Sequence, residues 1–474
     1  MMIMRNLSLL TDLYEYSMAN GFDAELPNTR ATFDVFYRKV PDQGSFVLAA
    51  GLKQIIDQLA DFHFSDSDLT YFRSLNLWRP AFIDHLATLT LDCHVHAVPE
   101  GTPVFPREPL MTIEGPIAQA QLLETLILNI LNHQSLIATK TRRMVFAAKG
   151  RPIMEFGARR AQGPDSAVYG ARAAVIGGAA STSDVLAAKL FHIPVAGTMA
   201  HSWIEAFPDE LTAFRKWAAL YPDNSALLVD TYDVLTSGVP NAITVFKELR
   251  AAGHHPVGIR IDSGDIATLS RDARHLLDAA GFQDTKITIS NALDESVMTS
   301  LLDQGAPIDN FGIGEKLITS ASAPVLSGVY KLAAIETDGQ VNPKIKISDS
   351  REKVTIPGQK QLYRLYRKST REAFADLITG SDEQLSNTVA VVDSNPLSVN
   401  RVHHLSSFDA ELILLETPID PAQCPSDVHA IRQYSQQRLA ELPAATQRLV
   451  NPDSYHVYMT TGLADLQHDL IARA

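Results

Sequence analysis

The segment Pro256-Val257-Gly258-Ile259-Arg260-Ile261-Asp262-Ser263-Gly264-Asp265 decides the fold of this chain. Its apolar residues predict a strand that ends in Arg260 and Asp262, and Ser263-Gly264 then turns the chain into a helical pattern. A cation, a carboxylate and the unpaired N–H groups of a helix start therefore meet, which suits a polyanionic ligand that carries hydroxyl groups. A helix N-cap with one internal ion pair would explain this segment alone equally well.

The same pattern recurs along the middle of the chain, where strand-like runs end in polar, chemically able side chains. The runs, each with the polar residues that follow it, are Pro152 to Phe156 with Arg159 and Arg160, Pro194 to Thr198 with His201 and Ser202, Ala226 to Asp230 with Asp233, Lys286 to Ser290 with Asn291, and Asn310 to Ile313 with Gly314 and Lys316. From Ala226 onward the strand starts follow at roughly the thirty-residue spacing of a strand-helix-strand unit, shorter at the last step.

The segments between these runs have helical apolar spacing, and Gly253, Gly281 and Gly305 stand where their helices should end. Alternating helices and continuously apolar strands predict a parallel sheet, with a ligand site at the carboxyl ends of its strands. Because the polar side chains are spread over about six strands instead of one switch point, the pattern favours an irregular TIM-like α/β barrel over an open doubly wound sheet.

The chain has 474 residues, enough for two domains. We expect residues 136–350 to form the barrel. Residues 1–135 mix helical and strand patterns, and residues 351–474 lose the strand-helix period. We expect these end segments to pack together as a second, α+β domain.

The formal net charge of −13 argues against a general nucleic-acid binder, which needs a broad basic surface. The cations Arg159, Arg160, Arg260 and Lys316 would then form a local positive site for a small anionic substrate. No apolar run approaches the roughly twenty residues that span a bilayer, and no signal-peptide core follows Arg5. With two cysteines and no disulfide framework, the protein is expected to be cytoplasmic, with no membrane partner.

Two histidine motifs suggest different chemistry. His201 follows the predicted strand at Thr198, where an imidazole can accept a proton, bind phosphate or attack a phosphoryl group. A histidine hydrogen-bonded to the backbone is the alternative. Cys93-His94-Val95-His96 suggests a metal site only weakly, because no second Cys or His pair lies at a suitable distance, and a half-buried strand face explains it better.

An ordered set of motifs resembles the nicotinate phosphoribosyltransferases, type II phosphoribosyltransferases, over nearly the whole chain. The motifs are Leu9-Leu10-Thr11-Asp12-Leu13-Tyr14, Glu155-Phe156-Gly157-Ala158-Arg159-Arg160, Gly197-Thr198-Met199-Ala200-His201-Ser202, Arg260-Ile261-Asp262-Ser263-Gly264-Asp265 and Tyr330-Lys331-Leu332. The resemblance implies transfer of a phosphoribosyl group from 5-phosphoribosyl 1-diphosphate to nicotinate in NAD biosynthesis. It also implies Mg²⁺ as cofactor and ATP as co-substrate, hydrolysed through a phosphohistidine.

The resemblance also implies a role for each matching residue. His201 would be the phosphorylated histidine, and Arg260 and Asp262 would act with it in catalysis. Arg159 and Arg260 would contact phosphate or the nicotinate carboxylate, to which Thr198 would donate. The nicotinate ring would lie between Phe156 and Tyr14 of a neighbouring subunit, so a homodimer with shared active sites is expected. The other implied substrate contacts are Asp230, Asp233, Ser290, Asn291, Gly314, Lys316 and Ser320, with Asp230 and Asp262 as candidate Mg²⁺ ligands.

Two positions bear on specificity. Nicotinamide-using relatives have Asp after the Gly-Thr pair, whereas this chain has Met199, which favours an ionised carboxylate as ligand. Glu315 stands where the family usually has Thr, in the loop expected to bind the ribose phosphate. A carboxylate there would repel phosphate unless Lys316 neutralises it or it points outward, so Gly314, Thr319 and Ser320 are the substitute contacts.

Two alternative functions remain open. A nicotinamide-using or quinolinate-using phosphoribosyltransferase would share the architecture. A non-catalytic, metabolite-binding relative would keep the fold without turnover, as Glu315 could hint.

Overall fold

The computed structural model describes residues 5–350, 353–386, 388–395, 398 and 401–473. The chain divides into two compact units. The terminal unit comprises Met1–Leu136 and Val325–Ala474, and the central unit comprises Ile137–Pro324. Both ends of the chain therefore contribute to the same unit.

The helices and strands alternate along most of the chain. The helices are α1 (Leu13–Glu25), α2 (Leu52–Ala60), α3 (Asp66–Leu75), α4 (Pro80–Ala87), α5 (Ile117–Gln121), α6 (Glu124–Ala147), α7 (Pro164–Gly177), α8 (Val185–Phe191), α9 (His201–Glu205), α10 (Glu210–Leu220), α11 (Val239–Ala251), α12 (Ile266–Ala279), α13 (Glu295–Asp303), α14 (Glu315–Ile318), α15 (Val428–Ala440) and α16 (Thr461–Arg473). The strands are β1 (Arg30–Tyr37), β2 (Val47–Leu48), β3 (His94–Ala97), β4 (Pro103–Val104), β5 (Met111–Pro116), β6 (Ile153–Glu155), β7 (Ser181–Thr182), β8 (Ala226–Leu228), β9 (Gly258–Ile261), β10 (Lys286–Asn291), β11 (Asn310–Ile313), β12 (Gly328–Thr337), β13 (Gln340–Pro343), β14 (Lys360–Arg367), β15 (Ala373–Gly380), β16 (Ala390–Asp393), β17 (His403–His404), β18 (Ala410–Leu414), β19 (Thr417–Pro418) and β20 (His456–Thr460).

The central unit contains a parallel sheet of six strands in the order β7-β6-β11-β10-β9-β8. The last strand, β11, pairs with the first, β6, which is the cyclic order of a barrel and not the order of a doubly wound sheet. A single parallel bridge joins Thr182 of β7 to Val195, and no backbone pairing continues from Val195 to β8 in the described residues. The predicted α/β class is confirmed, and the ring of strands is interrupted at this place.

The predicted strand at Pro194 to Thr198 is wrong as a strand, because only Val195 makes a ladder contact. Thr198, at the end of this segment, pairs with no described strand, and its hydroxyl donates a hydrogen bond to the Met199 carbonyl oxygen at 3.1 Å. The run from Ala226 also ends as a strand at Leu228, two residues before Asp230. The shortening leaves Thr198 and Asp230 in loops, while His201 and Ser202 begin helix α9.

The segment that decided the fold behaves as its sequence predicts. Ile259 and Ile261 are completely buried in β9, while Arg260 between them faces the other side of the sheet. Gly264 then adopts φ +86°, in the left-handed region that glycine enters without strain. Asp265 caps α12 by accepting a hydrogen bond from the Thr268 N–H.

The terminal unit contains two further sheets of six strands. One has the order β13-β12-β1-β5-β3-β19, and the other has the order β17-β16-β20-β15-β14-β18. The hairpin of β12 and β13 was expected inside the barrel range 136–350, but β12 pairs along the whole of β1. The boundary therefore lies at Pro324 and not at residue 350.

The Cys93-His94-Val95-His96 motif lies at the start of β3 in the terminal unit. His94 is exposed, and His96 is half-buried with its Nε2 atom 3.9 Å from the Glu114 carboxylate. Among the described residues, no three acidic, histidine or cysteine side chains are arranged to hold a metal ion. His94 and His96 lie on one face of β3, and the buried Val95 lies on the other.

None of the helices in the described residues combines the length and the apolar composition that a membrane-spanning segment needs.

The terminal unit contains a buried cluster of ionisable groups. The Lys360 ammonium lies 2.7 Å from the Asp34 carboxylate, and both side chains are almost fully buried. Glu416 lies close to this pair with 5% of its surface exposed, and its Oε1 atom has no hydrogen-bond partner. Burial raises the pKa of Glu416 to about 8, although a hydrogen bond from Thr112 opposes the shift. Glu416 is therefore protonated in the folded protein at neutral pH.

The proton on Glu416 makes stability depend on pH. The folded state keeps this proton up to about pH 8, whereas the unfolded chain releases it near pH 4.5, so stability falls as pH rises between these values. Glu416→Gln should raise the free energy of unfolding by about 4 kcal/mol at about pH 8.5 and by less than about 1 kcal/mol near pH 5, measured by urea denaturation. The exposed Glu411→Gln is the control. Equal effects of Glu416→Gln at both pH values would contradict the assignment.

Candidate active site

A cavity of about 250 Å³ opens at the carboxyl ends of the central strands. Eight of the predicted site residues line it: Phe156, Arg159, Arg260, Asp262, Ser290, Asn291, Gly314 and Lys316. A larger cavity of about 810 Å³ in the terminal unit, lined in part by Arg38 and Arg107, contains none of them. The smaller cavity is therefore the candidate active site.

The Arg260 guanidinium group joins three separate segments of this site: the end of β10, the loop that contains Thr198 and the turn after β9. Its Nε atom donates to the Ser290 hydroxyl at 2.7 Å, and its Nη1 atom donates to the Thr198 hydroxyl at 3.0 Å. Its Nη2 atom donates to the Asp262 carboxylate at 2.9 Å. The guanidinium carbon also lies 5.7 Å from the centre of the Phe156 ring, within cation-π range. Arg260 is consequently fixed in orientation before any ligand arrives.

Asp262 remains ionised because of its neighbours. Burial by itself would raise its pKa, but the hydrogen bond from Ser290 and the charge of Arg260 outweigh burial and lower the pKa below its ordinary value. Both recorded side-chain hydrogen bonds use the Oδ1 atom. The Oδ2 atom remains available for a ligand, since no described residue hydrogen-bonds to it.

His201 contacts Asp230 and not the backbone. Its Nε2 atom lies 3.2 Å from the Asp230 Oδ1 atom, and the His201 side chain is 40% exposed. The Asp230 Oδ2 atom accepts hydrogen bonds from the Asp262 N–H at 3.0 Å and the Ser263 hydroxyl at 2.6 Å. Both Asp230 oxygens are thus engaged by protein groups, and its side chain is 1% exposed. A contact of Asp230 with ribose hydroxyls or Mg²⁺ stays a prediction and would require one of these interactions to break.

Asp233 also has a different role from the one expected. It is exposed and caps the π-helix Val234–Gly238, accepting hydrogen bonds from the Leu235 and Thr236 N–H groups at 3.0 and 2.7 Å. The Thr236 N–H is the main cause of its lowered pKa. The π-helix packs closely on the end of β8, because a Cβ atom at Gly238 would lie 1.9 Å from the Val229 carbonyl oxygen. Asp233 therefore caps this helix through backbone N–H groups and does not line the cavity.

Two predicted hydroxyl contacts are already engaged by the protein. Thr198 accepts from Arg260 and donates to the Met199 carbonyl oxygen, so donation to a substrate carboxylate would require that second bond to break. Ser320 is fully buried at φ +44° and donates to the Ala323 carbonyl oxygen at 3.0 Å. Ser320 closes a turn and does not line the cavity, and the Thr319 hydroxyl donates to the Glu315 carbonyl oxygen. The Thr319 and Ser320 hydroxyls are therefore both engaged by backbone carbonyl oxygens, and a contact of either with phosphate stays a prediction.

The segment around the start of α14, which is predicted to bind the ribose phosphate, carries paired charges. The Lys316 ammonium lies 2.5 Å from the Asp294 carboxylate, which also caps α13. Glu315 does not pair with Lys316; its Oε2 atom lies 3.7 Å from the Arg160 Nε atom. Arg159 forms no hydrogen bond or ion pair through its side chain with any residue in the described ranges.

Glu155 is a site residue that the sequence reasoning missed. It is fully buried at the end of β6, where its Oε2 atom accepts from the Thr182 hydroxyl at 2.6 Å and its Oε1 atom accepts from the Gly157 N–H. Burial raises its pKa against these two hydrogen bonds. Glu155 thereby fixes the turn that presents Phe156. The sequence signal that could have identified Glu155 is a carboxylate at the end of a strand, immediately before the Phe156-Gly157 pair.

Tyr14 belongs to the terminal unit, on α1, with 45% of its surface exposed. Large apolar side chains near it on the chain are also exposed, namely Leu9, Leu10, Leu13 and Met18. Its proposed place against the nicotinate ring of a neighbouring subunit remains a prediction.

Comparison with protein families covers most of the chain. Residues 9–132 match the nicotinate phosphoribosyltransferase N-terminal domain. Residues 152–377 match the nicotinate phosphoribosyltransferase family, and residues 359–467 match its C-terminal domain. The matches follow one another in the order expected of a single family.

Individual relatives agree with this result. Nicotinate phosphoribosyltransferase of Bacillus subtilis (strain 168) is 42% identical, with 95% of this chain and 92% of that protein aligned. The crystal structure of human nicotinic acid phosphoribosyltransferase is 30% identical, with a TM-score of 0.84 over 97% of this chain and all of the human chain. Nicotinate-nucleotide pyrophosphorylase from Pyrococcus furiosus, at 22% identity, TM-score 0.69 and coverage of 92% and 96%, shares the fold. This chain belongs to the nicotinate phosphoribosyltransferase family.

Proposed function

We propose that the protein joins nicotinate to 5-phosphoribosyl 1-diphosphate, giving nicotinate mononucleotide and diphosphate. The observation that carries this proposal is the Arg260 network, which places a fixed cation, an ionised Asp262 and the Phe156 ring in one cavity. An aromatic acid and a sugar phosphate need these three groups together. Family membership makes the same reaction the leading candidate.

The charges of the cavity suit the bond that breaks. Cleavage at the anomeric carbon places positive charge on the ribose ring and negative charge on the departing diphosphate. Arg159 and Lys316 line the cavity as cations for the phosphates, and the Asp262 carboxylate lies where it can stabilise the ring cation. Because Lys316 and Asp262 are held by their neighbours, these two groups need little reorganisation as the charges develop.

The pocket favours nicotinate over nicotinamide on electrostatic grounds. The ring can lie against Phe156, and Arg260 beside it can bind the carboxylate. Met199 is 3% exposed and offers no carboxylate that would accept a hydrogen bond from an amide. An Asp at that position would instead repel the nicotinate carboxylate by several kcal/mol, roughly, at short range.

The residues of the cavity fit Mg²⁺ only if the ion is held jointly by the protein and the substrate. No described group of three acidic, histidine or cysteine side chains could form a protein cage, but Mg²⁺ commonly binds one or two carboxylates together with substrate phosphates and water. The Asp262 Oδ2 atom can provide one such ligand, whereas Asp230 would first have to release a group that it already binds. When bound, the ion would neutralise the charge that gathers on the diphosphate.

His201 is the proposed acceptor of the ATP γ-phosphoryl group. Asp230 at the Nε2 atom favours the tautomer that is protonated there, which leaves the Nδ1 lone pair free to act as nucleophile. Attack by Nδ1 forms the N–P bond and breaks the bond to ADP. Water later hydrolyses the phosphohistidine, so that one ATP is consumed for each coupled turnover.

Purified protein incubated with nicotinate, the phosphoribosyl donor, Mg²⁺ and ATP tests the proposal when nicotinate mononucleotide and ADP are followed together. Both products should form. Saturable turnover of nicotinamide at micromolar concentration, or of quinolinate, would favour the related transferases. Tight binding of the donor without release of diphosphate would favour a non-catalytic binding protein.

His201→Ala should retain measurable transfer without ATP and lose the stimulation by ATP, because the phosphoryl acceptor is absent. Initial rates with and without ATP measure this loss. Asp230→Asn should also reduce the stimulation by ATP, because it removes the carboxylate that contacts the His201 imidazole. Stimulation that is unchanged in His201→Ala would reject the assignment.

Arg260→Ala and Asp262→Ala should each lower kcat/KM by roughly a hundredfold or more, since each removes one fixed electrostatic contact. Steady-state kinetics with both substrates measure the loss, and circular dichroism checks folding. Arg215→Ala removes an exposed, paired arginine of the same unit and is the control. Near-normal rates in both site variants would exclude this cavity as the active site.

Mixed dimers test whether Tyr14 completes the site of a partner subunit. Tyr14→Ala and Arg260→Ala chains should each be almost inactive alone. When equal amounts are unfolded and refolded together, roughly half of the dimers should be mixed, and each mixed dimer has one intact site out of two. The mixture should therefore recover roughly a quarter of wild-type activity. Failure of the mixture to exceed the separate variants would show that Tyr14 acts within its own chain or has no role.

A further inference from the structure

The cations of the active-site cavity differ in how firmly they are held. Arg260 is fixed by three hydrogen bonds, and Lys316 lies 2.5 Å from a helix-capping carboxylate. Among the residues that the structure describes, Arg160 has Glu315 alone as a charged partner, at 3.7 Å between the Nε and Oε2 atoms. That distance is too long for a hydrogen bond. The Arg160–Glu315 pair is therefore the weakest ion pair of the cavity.

Exposure also separates this pair from the others. Both the Arg160 and the Glu315 side chains are 60% exposed, compared with 15% and 28% for Arg260 and Asp262. An exposed pair at this separation contributes little to stability and exchanges readily with other ions. Glu315 can therefore be displaced from Arg160 by a stronger anion without disturbing the fold.

A phosphate group entering the cavity meets both members of the pair, since Arg160 and Glu315 both line it. The phosphate is attracted to Arg160 and is repelled by the Glu315 carboxylate. Because a phosphoryl group carries more negative charge than a carboxylate and can bind a guanidinium through two oxygens, it should win the competition. Some of its binding free energy is then lost in displacing Glu315.

We propose that Glu315 is a displaceable counter-ion of Arg160 that weakens the binding of the phosphate groups of the substrate and so sets the KM for the phosphoribosyl donor. The inference takes the identity of the phosphate compound from the proposed function. The competition itself requires only that a phosphate-bearing ligand enters this cavity.

Binding of inorganic diphosphate, measured by isothermal titration calorimetry, tests the competition without any turnover. Glu315→Gln keeps the shape of the side chain and removes its charge, and should bind diphosphate roughly three- to tenfold more tightly at low salt. The gain should shrink by more than half near 0.5 M salt, roughly, because exposed charges are screened. Glu248→Gln, from an exposed ion pair of the same unit, should bind as the wild type does.

The same Glu315 substitution, made in a chain that lacks the Arg160 charge, tests whether Arg160 is the group with which Glu315 pairs. In Arg160→Gln chains, removing the Glu315 charge should improve diphosphate binding by less than about twofold, because no guanidinium remains to be released. An undiminished gain there would contradict the competition for Arg160. Unchanged or weaker binding by Glu315→Gln in the native background would overturn the proposal as a whole.

Kinetics connect the binding result to the reaction. The KM for the phosphoribosyl donor should fall in Glu315→Gln by about the same factor as the diphosphate affinity rises, with the KM for nicotinate unchanged. A KM for the donor that does not fall would overturn the kinetic part of the proposal. If the wild type forms no nicotinate mononucleotide, the proposed function fails, and the calorimetry still decides whether Glu315 competes for Arg160.

Discussion

The three hydrogen bonds of the Arg260 guanidinium are the interaction on which the rest of the site depends. They join β9, the end of β10 and the loop that contains Thr198, so one side chain sets the distances among three separate parts of the chain. The same group keeps Asp262 ionised and lies beside the Phe156 ring. A planar fork with several donors can do this, whereas a lysine could satisfy only part of the arrangement. The burial of Ile259 and Ile261 on either side of Arg260 fixes the strand from which the fork extends.

Carboxylates in this site divide into those that position other groups and those that can meet a ligand. Glu155 and Asp230 are buried and use both oxygens on protein donors, so they shape the turns after β6 and β9. Asp262 uses one oxygen and retains the other, and Glu315 is exposed at the rim. This division follows from burial, because a buried carboxylate must find donors within the protein while an exposed one can be satisfied by water.

Sequence patterns predicted the fold well where the determining interactions lie between residues that are close in sequence. The strand, the left-handed turn at Gly264 and the helix after it follow from residues within ten positions, as do the positive-φ glycines Gly253, Gly281 and Gly305 at helix ends. Prediction failed where the deciding contact is distant in sequence. The hairpin of β12 and β13 belongs to the terminal unit only because β1 pairs with it, and the engagement of Asp230 depends on Ser263, some thirty residues later. Residue type identified the site residues, but tertiary contacts decided which of them face the cavity.

The two oxygens of Asp230 have a mechanical consequence. One oxygen holds the His201 imidazole and the other holds the Asp262 main chain, so the two sites of chemistry share a single rigid side chain. If the proposed function holds, a change of charge at the imidazole would alter its attraction to this carboxylate and, through it, the position of the turn after β9. Coupling between the two groups would then require no movement larger than that of one aspartate side chain.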